Sequence, residues 1–121
     1  MRILNISAQK PDSTGSGTYL AETVAAQVAA GHTTAVICGV DVADGWDLPD
    51  ETSVYPVRFQ TEELPFNVVG MSDEMPYPST RYRDMTPEMV AQFKAAFTRT
   101  IKQADAEFKP DVVICHHLYL V

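Results

Sequence analysis

Residues 17–38, GTYLAETVAAQVAAGHTTAVIC, decide the fold, because the hydrophobic pattern changes period inside them. Leu20, Val24 and Val28 recur every four residues with alanines 21, 25, 26, 29 and 30 between them, the spacing of an amphipathic helix. This reading puts Glu22 in the first turn, where the helix dipole favours an acid, and lets Gly31 supply the stop. His32 leads into Thr33–Cys38, TTAVIC, a β-rich run bounded by Gly39 that reads as a buried strand. Upstream, residues 2–7, RILNIS, form another short apolar run, which Gln9, Lys10, Pro11 and Asp12 cut off. Strand, helix and strand in that order predict a right-handed βαβ unit with parallel strands.

Further along, residues 41–52 are a turn-rich acidic connection around Gly45, Trp46 and Pro49. Val54–Phe59, VYPVRF, resumes strand character, and Pro56 suits an edge position because it cannot donate to a ladder. Residues 64–84 lack a sustained period; an irregular segment of that length is usually a functional loop or a disordered one. Thr86 is a good N-cap with Pro87 at the first helical position, and Met89, Phe93, Phe97, Ile101, Ala104 and Phe108 then line one face of a long helix. Pro110 ends it, and Asp111–Cys115, DVVIC, is a last strand that delivers His116 and His117 at its C-terminal end.

A chain of 121 residues with 45% hydrophobic content is one domain, residues 1–121, large enough to bury a core without a disulfide framework or a structural metal. Sixteen acids against nine Lys and Arg give a net charge of −7, which argues against a nucleic-acid partner. The N-terminal apolar run is too short for a signal peptide and no stretch is long enough for a membrane span, so a cytoplasmic location is expected. Cys38 and Cys115, each ending a strand, then read as buried reduced thiols. If the first strand lies between the second and the last, they stand roughly 9 to 10 Å apart, too far for a disulfide or for shared zinc ligation, and no metal site is assigned.

Open parallel sheets bind ligands beyond the carboxyl ends of their strands. Two features meet there. Gly15, Ser16 and Gly17, with Thr18, lie at the start of the first helix, where absent side chains let backbone N–H groups approach an anion; equally, the glycines could serve only the turn. Leu20 stands where a G-x-G-x-x-G motif needs its third glycine and no Lys follows Gly17, so neither a dinucleotide fingerprint nor a P-loop is present. The run from Ser13 to Thr18 resembles a flavodoxin phosphate loop, with its second threonine one position late. The second feature is His116 and His117: adjacent strand residues face opposite ways, so one of them faces the cleft, where it could bind a hydroxyl or phosphate or exchange a proton. Either could instead be a histidine satisfied by the backbone. Arg81 and Arg83 could meet an anionic substrate, or pair with neighbouring carboxylates.

Taken together, MRILNISAQKPDSTGSGTYLAETVAAQVAAGH at the start and FKPDVVICHH at the end resemble the N-terminal domain of GT-B-fold glycosyltransferases, more narrowly the retaining family 4. The resemblance extends over the GMSDEMPYPSTRYRDMT segment. It implies a three-layer Rossmann-like α/β domain with a mainly parallel open sheet in the order 3-2-1-4. It also implies sugar transfer from a nucleotide-sugar donor to an acceptor, with no cofactor. In the family the glycine-rich loop approaches the donor diphosphate, matching Gly15 to Thr18. The histidine after the last of these strands lies at the reaction centre, matching His116, and organises the transition state by position and electrostatics. His117, Arg81 and Arg83 are the accompanying substrate-side candidates.

The family's carboxylate-rich donor motif and its basic phosphate-binding pair have no counterpart in the chain. The expectation is therefore a truncated N-terminal piece that needs a C-terminal donor-binding domain or a separate donor-binding subunit for turnover. Its last strand would be an exposed edge able to pair with a second copy. A stand-alone flavodoxin-like or nucleotide-binding module without catalysis is the alternative.

Overall fold

The computed structural model describes residues 1–7, 15–41, 48–49, 51–62, 64–67, 80–81 and 84–116. Elements follow in the order β1 (Arg2–Ile6), α1 (Gly15–Ala29), β2 (Thr33–Asp41), β3 (Ser53–Phe59), α2 (Pro87–Phe108) and β4 (Val112–Cys115). The four strands form one parallel sheet in the order β3-β2-β1-β4, the expected Rossmann-like arrangement. Trp46, Arg83, His117 and most of the long irregular segment lie outside the described residues.

Alternation along the strands divides the core between two faces. Leu4, Ile6, Ala35, Ile37, Val57 and Phe59 pack against Phe93, Ala96, Phe97, Ala104 and Phe108 of α2. Val36, Cys38 and Val40 face the other way, onto Leu20 and Val24 of α1. The helices thus cover opposite faces of the sheet, giving three layers. The α2 face is the aromatic one: the Phe93 and Phe97 rings lie 4.6 Å apart between centroids, and Phe59 sits between Phe66 and Phe93.

Each helix begins and ends for a local reason. The Thr86 hydroxyl accepts from the Met89 backbone N–H at 3.2 Å, and the Met89 thioether returns the contact to the Thr86 N–H. Pro87 follows at the first helical position, as expected. The last turn of α2 closes on Lys109, whose φ of 54° is left-handed, one residue before Pro110. At the end of α1, Gly31 N–H bonds to the Val28 carbonyl and His32 N–H to the Gln27 carbonyl, with Gly31 at φ 90°. That bond pair is a Schellman cap, which favours glycine at the left-handed position.

Three details differ from the sequence reading. First, α1 starts at Gly15, so Gly15, Ser16 and Gly17 form its first turn instead of preceding it, and Glu22 stands about two turns in. A first turn tolerates these residues because its N–H groups need no intrahelical acceptor. Second, β2 passes through Gly39 to Asp41, because Gly39, Val40 and Asp41 keep their register with Val57, Arg58 and Phe59. Cys38 therefore lies mid-strand. Third, Cys115 is only partly buried, packing beside the α2 cluster while Cys38 is fully enclosed on the α1 side. The thiols project from opposite faces of non-adjacent strands and both are free. Burial pushes the Cys38 thiol up to about 12.

Pro56 occupies an edge strand, as its missing N–H requires. The opposite edge is β4, where Val112 and Val113 are 37% and 50% exposed. Arg2 ties this edge to the end of α2: its Nε donates to the Phe108 carbonyl at 2.7 Å and its guanidinium lies 4.3 Å from the Phe108 ring centroid. Its backbone N–H donates to Asp111 Oδ2 at 2.9 Å. A cation beside the terminal carbonyls of a helix is favoured by the helix dipole. Among the described residues no helix is long and apolar enough to cross a membrane.

Candidate functional site

His116 follows β4 directly, and its backbone N–H donates to the Ile6 carbonyl at 2.9 Å, continuing the β1–β4 ladder past its last strand pair. The imidazole is thereby fixed at the carboxyl edge of the sheet. By alternation it turns to the α1 side, as Ile114 does. There its Nε2 lies 3.3 Å from Asn5 Oδ1, and its ring meets Tyr19 edge-on with centroids 6.1 Å apart.

Tyr19 comes one residue after Thr18. The ring contact therefore places His116 against the residue that follows the first turn of α1, residues 15–18. The N–H groups of that turn have no acceptor within the helix and carry the positive end of its dipole, which suits an anionic group. Partial burial lowers the His116 pKa from its ordinary value of 6.5, so the ring is neutral at neutral pH. A neutral imidazole has one donor and one acceptor nitrogen, and Nε2 already faces Asn5.

Sequence reasoning missed the residues beneath the histidine. Asn5 is fully buried in the central strand, and its Nδ2 donates to Gln27 Oε1 of α1 at 2.9 Å. Gln27 Nε2 returns a longer contact of 3.4 Å to Asn5 Oδ1. The signal was available: Asn5 is the one amide in RILNIS, and a polar side chain enclosed in a parallel strand must find partners.

Arg81 is not part of this cluster. Its Nε pairs with Asp84 Oδ2 at 2.6 Å, both side chains about half exposed. The preceding Thr80 donates its hydroxyl to the Asn67 carbonyl, and the Phe66 carbonyl accepts from the Gln60 N–H just past β3. That attaches Arg81 to the turn beyond the β3 edge, whereas His116 follows β4, three strand spacings away, roughly 14 Å. An open groove of about 360 Å³ between Val57 of β3 and Ala96 and Arg99 of α2 lies on the α2 side and contains none of the candidate residues.

No curated protein matches the chain. A family model does match, over residues 14–121, and its description is a glycosyl transferase 4-like domain. The matched span takes in the first turn of α1, both helices, β2 to β4 and His116. With nearly all of its length aligned to that model, the chain belongs to the glycosyl transferase 4-like family.

Proposed function

We propose that the chain is the acceptor-side part of a retaining glycosyltransferase. It receives a sugar from a nucleotide-sugar donor and works together with a donor-binding domain or subunit. One observation carries the reading: the neutral, half-buried His116 meets Tyr19, next after the first turn of α1, at the carboxyl edge of a parallel sheet. Such an edge is where open α/β sheets receive ligands.

The two parts divide the work. Backbone N–H groups of residues 15–18 stabilise negative charge on the donor diphosphate, which grows as the glycosidic bond to the leaving phosphate breaks. His116 holds the transferred sugar by hydrogen bonding, and its neutrality at neutral pH makes it a poor general acid but a good positioning group. The donor nucleotide itself belongs to the second domain or subunit.

The test compares sugar transfer by the 121-residue chain alone with transfer by the chain joined to its donor-binding domain or subunit. Transfer with retained anomeric configuration in the joined form, and none in the isolated chain, supports the reading. Product of inverted configuration removes the retaining assignment. A preparation that binds flavin and transfers no sugar in either form points to the stand-alone module.

A further inference from the structure

Asn5 is a polar side chain with no exposed surface, placed near the carboxyl end of β1, an interior strand of the sheet. Its two amide ends are both engaged. Nδ2 donates to Gln27 Oε1 at 2.9 Å, and Oδ1 faces Gln27 Nε2 at 3.4 Å and His116 Nε2 at 3.3 Å. A carbonyl oxygen has two lone pairs and donates nothing, so two donors must meet it. One is the Gln27 amide. The other is the His116 ring nitrogen, which must then carry a proton.

We infer that the Asn5–Gln27 amide pair fixes His116 as the Nε2–H tautomer, leaving Nδ1 with its lone pair as the acceptor available to a ligand hydroxyl. Asn5 is on this account a positioning residue, acting on the ligand only through the imidazole. Gln27 keeps the Asn5 amide from turning over, since a 180° rotation would break the short bond to Gln27 Oε1 unless both amides turned together. Burial reinforces the constraint, because an amide enclosed between sheet and helix has no water with which to exchange partners. The chemistry selected is specific: at Nδ1 the ring takes a hydrogen bond from a hydroxyl donor, such as a sugar hydroxyl, and does not give one.

The meaning for sugar transfer rests on the reading of His116 proposed above, but the tautomer does not, so the two are tested apart. Long-range proton–nitrogen correlation spectra of the ¹⁵N-labelled chain at pH 7.5, without any ligand, report the tautomer of each histidine. The expected spectrum has His116 as a single Nε2–H form, retained in Asn5→Asp, whose carboxylate still accepts, and replaced by a mixture in Asn5→Leu. A wild-type Nδ1–H signal would mean that both amides are turned over and would overturn the inference. A folded Asn5→Leu chain that keeps the single Nε2–H form overturns it as well. Should Asn5→Leu not fold, Gln27→Met carries the test, because freeing the Asn5 amide to turn must yield a mixture; an unchanged single form there rejects the inference.

Discussion

The ring of Tyr19, itself 62% exposed, stands edge-on over His116 at 6.1 Å and joins the amino end of one helix to the carboxyl end of a strand whose sequence lies almost a hundred residues away. Through that contact α1 contributes to the dry environment of the imidazole. Tyr19→Ser therefore has a defined consequence: the His116 pKa rises toward 6.5 as water replaces the ring, while global stability changes by less than about 1 kcal/mol, since an exposed side chain contributes little. A proton NMR titration of the imidazole, with a urea denaturation series beside it, checks both parts.

If the proposed function holds, His116→Ala in the chain joined to a donor-binding domain or subunit should lower turnover by roughly 100-fold, the usual loss for removing one preorganised polar contact to a reacting group. Folding should survive, because the side chain is only partly buried at the rim of the sheet. Circular dichroism and initial-rate measurements separate the two effects. Wild-type turnover in the folded variant would take His116 out of the site.

The same burial makes stability depend on pH. An imidazole whose folded pKa lies below its unfolded value of 6.5 binds fewer protons when folded. Above pH 6.5 both states are neutral and this contribution is full. As the pH falls below about 6.5 the unfolded chain takes up its proton first, so stability declines until the folded ring also titrates. The ring is faced by the neutral amide of Asn5 and by the edge of the Tyr19 ring. Unfolding free energies at pH 7.5 and pH 5.5 should therefore differ less in His116→Gln than in the wild type.

Gly31 tests a separate mechanism. Nothing lies within 4 Å of where a Cβ would be, so Gly31→Ala meets no clash and is charged only for its backbone, held at φ 90°. The expected destabilisation is about 1 to 2 kcal/mol, with Gly31→Asn milder, both read from denaturation midpoints at constant slope.

In the aromatic layer Phe59→Ala removes a fully buried ring that contacts Phe66 and Phe93. A loss of about 3 to 5 kcal/mol is expected, a large share of the 5 to 15 kcal/mol that holds a typical domain. Phe59→Leu, which leaves a smaller void, should recover more than half of it when both variants are unfolded by calorimetry.

How much of this was legible in the sequence depended on whether a residue's neighbours along the chain decide its state. The four-residue spacing of Leu20, Val24 and Val28, and the Thr86-Pro87 start of α2, are local signals, and both helices were read from them. Parallel strand order is not local, and it was anticipated only through the resemblance of the two chain ends to a known family. Gly39 misled because glycine weakens strands in general, whereas here its backbone is held in the ladder opposite Val57. The start of α1 misled for the converse reason: glycines and a serine are weak helix formers, but the first turn needs little propensity. Of the site, His116 was visible as the polar residue at the end of an apolar strand. Asn5 was hidden inside RILNIS, because only the fold reveals that Gln27 and His116 converge on it. Arg81 divides the same way: its pairing with Asp84, three residues on, is local and was one of the two readings open, whereas its place beyond β3 depends on the chain path.

The sheet order carries a consequence for how the chain assembles. β1 is made first and lies at the interior of the sheet, yet its two neighbours arrive at very different times: β2 begins at Thr33, and β4 only at Val112. During synthesis β1, α1 and β2 can associate early, but one side of β1 has no partner until α2 has been completed and β4 follows it. Closing so long a loop is entropically costly and slow compared with local pairing. The Arg2 clamp onto Phe108 and Asp111 stands beside the first β1–β4 pair, Ile3 with Val112, so an Arg2 variant is expected to refold more slowly, with the backbone of β1 open for longer to the wrong neighbour.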